Sequence, residues 1–134
     1  MSRIILLMLL FSCFQIKAQE LPEPPITPEE IIYKSDAVDV QAEFPNGIDA
    51  CYAYFAKRIT LPAVPGLVDK VVLTFIVERD GALTDIRIIH DAGFGTGDQV
   101  SEILEKGPNW IPASKDGKKV RVFQRLPIPI ITEE

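Results

Sequence analysis

The sequence predicts an α+β domain: a small antiparallel three-stranded sheet, made of a hairpin and a C-terminal strand, packed against two helices. Two β-branched runs, VVLTFIV and LTDIRII, are joined by ERDGA, and Asp80-Gly81 supplies the positive backbone φ of a tight hairpin turn. Apolar residues at helical spacing precede the hairpin and follow it. A final run, KKVRVFQRL, alternates apolar and polar residues with the period of a strand. With 134 residues, 47% of them hydrophobic, the chain has room for one such domain and little else.

In chain order, MSRIILLMLLFSCFQIKAQE has a short cationic start, an apolar run and a small, polar end, the layout of a secretory signal over residues 1–18. As a helix the run from Ile4 to about Phe14 would rise about 1.5 Å per residue, well short of a hydrocarbon core of about 30 Å. Cleavage after Ala18 predicts export; retention of the helix, or lipid attachment at Cys13, would anchor the chain to a membrane instead. Residues 19–43 form a leader whose segment LPEPPITPEE, rich in proline and acid, favours extended, solvated chain. An edge strand is expected within it around 37–42.

The folded domain is expected over 44–131. Asn46 is read as the cap of a helix with Ile48, Tyr52, Phe55 and Ile59 on its core face; Asp49 in the first turn and Lys57 and Arg58 in the last complement the helix dipole. The strands 70–78 and 83–90 pair, with Val71, Leu73, Phe75 and Val77 sharing one face and Ile86 and Ile88 another. Thr96 and Gln99 read as a capping box for a helix over 97–106 that buries Val100, Ile103 and Leu104, and Gly107-Pro108 closes it. Trp110, in a proline-and-glycine loop, is read as a plug over the core. In the strand over 119–126, Val120, Val122 and Leu126 face the core while Arg121, Phe123 and Arg125 point away, and Pro127 and Pro129 stop the ladder from growing, as expected near an exposed edge.

The formal charge of −5 repels a phosphate backbone at long range, so nucleic acid is not expected as a partner. Loss of residues 1–18 would remove Arg3 and Lys17 and no acid, leaving 12 basic and 19 acidic residues. Gly93, Gly95 and Gly97 are spaced two apart, Asp98 stands where a dinucleotide fingerprint needs its third glycine, and the preceding strand belongs to a hairpin; the glycines are a bend, not a phosphate cradle. Cys51 is the sole cysteine outside the signal and is read as a small packing residue. His90, the single histidine, has no serine or cysteine neighbour in a recognisable motif. Neither an enzyme, a cofactor, a metal site nor a small-molecule substrate is expected.

The stretches FPNGIDACYAYFAKRITLP, VVLTFIVERDGALTDIRII and GFGTGDQVSEILEKGPNWIPASKDGKKVRVFQRLPIPI resemble the C-terminal domain of TonB proteins, closely matching the forms found in Bacteroidetes. The likeness spans 44 to about 130. Its motifs are the F-P-x-G helix start, the V-x-x-F-x-V-x-x-D-G hairpin, the glycine-rich turn and P-x-W-x-P-A-x-x-x-G-K-x-V. The resemblance implies a periplasmic domain that captures the TonB-box peptide of a TonB-dependent outer-membrane transporter by strand addition, in support of energy-coupled transport. It puts the partner-binding edge at Val120, Arg121, Val122, Phe123, Gln124, Arg125 and Leu126. The alternatives are a stand-alone exported interaction module without a role in energy transduction, and pairing of two copies of the chain as a homodimer through the same edge.

Overall fold

The computed structural model describes residues 22 and 24–134; the expected signal, Cys13 and the start of the leader lie outside the described residues. In chain order the elements are β1 (Ile32–Lys34), a 3-10 turn (Ser35–Ala37), α1 (Ile48–Arg58), β2 (Val68–Val77), β3 (Leu83–His90), α2 (Thr96–Glu105), β4 (Ala113–Lys115) and β5 (Lys118–Ile131). The fold is α+β, as expected, but the sheet is mixed and has five strands, not three antiparallel ones. The expected core of it is present: β2 pairs antiparallel with both β3 and β5. β1 adds a parallel strand on β5, and β4 adds a short antiparallel one. Among the described residues no helix is long and apolar enough to cross a membrane.

β2 lies between β5 and β3 and is buried at every residue from Val71 to Val77, which is why that stretch is apolar but for Thr74. Val71, Leu73, Phe75 and Val77 join Cys51 and Phe55 of α1 and Val100 and Leu104 of α2 in one core, so both helices cover the same face of the sheet. Val122, Leu126, Ile128 and Ile130 supply the β5 share of that core. Trp110 closes one end, edge-on to Phe44 and Phe75 with ring centroids 5.9 and 5.2 Å away, as expected of a plug. Its main-chain N–H donates to the Gly81 carbonyl, and that carries the loop across the hairpin turn.

Several local expectations are revised. The folded part starts at Ile32, not near Phe44: Tyr33 packs on the core, Ala42 is buried, and Val40 and Glu43 form bridges to Ser114 and Ile111. The early strand is at 32–34, not 37–42, because its partner is β5, 89 positions along the chain from Ile32 to Arg121. Gly47, not Asn46, precedes α1, and Asn46 takes a left-handed backbone conformation one residue before it. The helix turns Cys51 and Phe55 inward and leaves Ile48 and Tyr52 exposed.

The expected capping box of α2 is not formed either. Gly95 precedes the helix, and the Gln99 amide instead clasps Thr60, accepting from its N–H at 2.8 Å and donating to its carbonyl at 3.2 Å. The acceptor at the α2 start is Asp91, whose carboxylate takes the N–H of Gly93 at 2.8 Å and of Gly97 at 3.1 Å. This is the reason for Gly97: a Cβ there would lie 2.2 Å from the Asp91 carboxylate. The glycine-rich stretch is thus a turn organised by a neighbouring acid.

Gly97→Ala should push that carboxylate off the helix end, and Asp91→Ala should remove it, each costing about 1–2 kcal/mol. Because both remove one interaction, the double variant should cost clearly less than the sum, measured by denaturant unfolding.

Candidate functional site

The candidate site is the flank of β5 that faces away from β2. Main-chain groups alternate along a strand, and several contacts fix which residues face which way. Thr132 donates its N–H to Leu67 on the β2 side. The main chain of Ser114 is engaged by Val40, so Ala113 and Lys115 turn theirs toward β5 at Val120 and Lys118. Even-numbered residues of β5 therefore face β2 and β4, which lie end to end on one flank. Odd-numbered residues face outward.

This alternation explains how β5 runs through two prolines. The strand does not stop at Leu126 as expected but continues to Ile131, paired with β2 throughout from Val122. Pro127 and Pro129 are odd, so the N–H that each lacks belongs to the outer flank and no bond to β2 is lost. The outer flank accordingly keeps N–H donors at Arg121, Phe123 and Arg125, loses them at Pro127 and Pro129, and regains one at Ile131.

The seven residues expected to form a free edge divide on this basis. Val120, Val122, Gln124 and Leu126 direct their main chain to β4 or β2 and are not edge groups. Arg121, Phe123 and Arg125 do face outward, yet β1 already lies along the first two, with Ile32, Tyr33 and Lys34 opposite Arg121, Val122 and Phe123. The expectation of a wholly free edge over 120–126 is thus corrected. The open stretch begins at Arg125. The expected side-chain alternation is observed, with Val120, Val122 and Leu126 buried and Phe123 and Arg125 exposed.

Two grooves follow the open stretch. The first, about 460 Å³, lies between Gln124, Arg125 and Pro127 and the wall made by Val40, Phe44 and Ile48. The second, about 300 Å³, is apolar and runs between Ile128 and Ile131 of β5 and Tyr52, Phe55 and Ile59. Ile48 and Tyr52, the helix residues expected in the core, stand exposed beside this flank instead.

Arg121 is committed within the fold. Its Nε and Nη2 donate to the two Glu78 carboxylate oxygens at 2.6 and 2.9 Å, a bidentate pair that clamps the end of β2 to β5. The guanidinium holds the Glu78 carboxyl below its ordinary value of 4.5. A third N–H reaches the Glu30 carbonyl at 3.2 Å, tying the leader to the same strand. His90 meets Asp69 at 2.9 Å on the surface, and that contact lowers the Asp69 carboxyl. Cys51 is buried on α1, and burial pushes its thiol up to about 11, which keeps it protonated and unreactive at neutral pH.

Comparison with protein-family models, with curated proteins and with solved structures finds no match to this chain.

Because the Glu78 carboxyl is depressed in the folded state, its stabilisation is fully present above pH 4.5 and is lost as pH falls through the lowered folded value. Glu78→Gln should therefore destabilise the fold by about 1 kcal/mol at pH 7, and the gap between variant and parent should close as acidification passes through the lowered folded value, below pH 4.5. Thermal unfolding across that range measures it.

Proposed function

We propose that this chain is a periplasmic peptide-capturing domain that takes the TonB-box segment of a TonB-dependent outer-membrane transporter as an added strand on β5, in support of energy-coupled transport. The observation that carries this reading is the outer flank from Arg125 onward, which among the described residues has no second strand and borders a groove of about 460 Å³. Strand addition requires such a flank: main-chain bonds give affinity, and grooves beside the strand select alternate side chains. The sequence motifs supply the identity of the guest, and they make the combination of hairpin, C-terminal strand and two helices a TonB C-terminal-like domain. The signal layout of residues 1–18 supports export.

Binding rather than catalysis is the better reading of the side chains. His90 is engaged by an exposed carboxylate, and the Cys51 thiol is buried and protonated. Pairing of two copies through the same flank is less favourable than capture of a guest. Pairing of two copies would lack the N–H of Pro127 and Pro129 from both partners, whereas a guest with its own N–H groups lacks them from β5 alone and meets the free proline carbonyls.

Isothermal titration with a TonB-box peptide tests the reading. Arg125→Pro removes the outward N–H at the start of the open stretch while sparing the β2 ladder, as Pro127 and Pro129 already do. Loss of that hydrogen bond should weaken binding about five- to tenfold, whereas Arg125→Ala, which keeps the N–H, should change it by less than about threefold. Equal affinity of Arg125→Pro and the parent, in a variant with parental thermal stability, contradicts strand addition here.

A further inference from the structure

We propose that β1 is a displaceable latch: residues of the chain's own leader occupy the part of the β5 flank that a guest strand needs, and guest binding exchanges one strand for the other. This rests on the reading of β5 as a peptide-capturing strand and adds the direction, register and side-chain pattern of the guest.

The hold of β1 is slight. It has three residues, two of them exposed, and it pairs in parallel with β5 over 121–123. Upstream, the Glu30 carbonyl accepts from Arg121, and Glu29 lies 3.7 Å from Arg79 with both side chains at least half exposed, where an ion pair contributes little. Tyr33 makes the one inward contact, packing against the core beneath Lys115. Downstream the attachment is firm: Val40 and Glu43 bridge to Ser114 and Ile111, and Ala42 and Phe44 are buried. A strand so anchored can leave β5 and stay nearby, at high effective concentration for return.

The flank beyond β1 provides the way in. Among the described residues no strand pairs with the outward N–H and C=O of Arg125, next to the groove walled by Val40, Phe44 and Ile48. A guest running parallel to β5, as β1 does, can pair at Arg125 first and then extend back over Phe123 and Arg121 as β1 leaves. From Pro127 on its ladder thins, because the prolines accept but have no N–H to offer. Such a guest needs apolar side chains at two positions two residues apart. One replaces Tyr33 opposite Val122, and the next, opposite Gln124, enters the groove.

The test uses the full chain and a labelled synthetic peptide of the leader sequence EEIIYKS, read by fluorescence anisotropy. In Tyr33→Pro the latch loses a main-chain donor and its inward ring, so the slot should be vacant and the peptide should bind at least about tenfold more tightly than to the parent chain. Tyr33→Ala, the milder variant, should show the same direction with a smaller gain, and guards against a folding defect in the proline variant. Equal affinity for the parent and a folded variant, or no binding to either, overturns the latch. A TonB-box peptide titrated into the same chains separates the two claims. If it fails to bind while the leader peptide discriminates, the latch stands and the transporter reading falls; if it binds parent and variants equally, the reverse holds.

Discussion

Two missing hydrogens organise this molecule. Pro127 and Pro129 lack the main-chain N–H, and a fourteen-residue strand bonded to β2 along most of its length can hold them only where that N–H would face outward. This fixes the phase of β5. Even positions bond to β2 and β4; because side chains alternate along the strand as well, the same residues, Val122, Leu126, Ile128 and Ile130, enter the core. The same phase sets the character of the opposite flank, donor-bearing up to Arg125 and acceptor-only at the prolines. A strand with this pattern is open to an extended guest over a short, defined stretch and resists open-ended growth beyond it.

Around that strand the remaining elements divide into those that support it and those that limit access. The hairpin of β2 and β3 and both helices build the core on one face. Arg121 and Glu78 lock the end of β2 against β5 with a bidentate pair, so the residue at the head of the outer flank serves stability through its side chain and pairing through its main chain. β1, by contrast, is held on the outer flank of β5 through three residues and a few exposed contacts. The contrast between a clamped core strand and a lightly held edge strand is what allows one to move while the other stays.

Legibility of the sequence varied with how local the deciding interaction was. Asp80-Gly81 announced its hairpin because the turn chemistry and both strands are contiguous. Asp116-Gly117 carries the same signal, with left-handed backbone at both residues, but β4 has only three residues after Pro112 and so presented no alternation to notice. Thr96 and Gln99 had the spacing of a capping box, yet Asp91, five residues before Thr96, reached the helix start first, and Gln99 was drawn to Thr60. For the site, the inward and outward side chains of β5 were readable from its period of two. Which flank stays open was not, since that depends on β1, whose pairing partner lies far along the chain, and on the phase imposed by the prolines.

The central claim is that an extended guest pairs with the odd-numbered, outward main chain of β5. Residue-resolved amide shifts, recorded by NMR as a TonB-box peptide is added to the ¹⁵N-labelled full chain, address it directly. The account predicts that the Arg121, Phe123 and Arg125 amides respond most, with smaller effects at Val122, Gln124 and Leu126, whose N–H groups stay bonded within the sheet. Shifts centred on the opposite edge, along β3, with β5 unmoved, would contradict it.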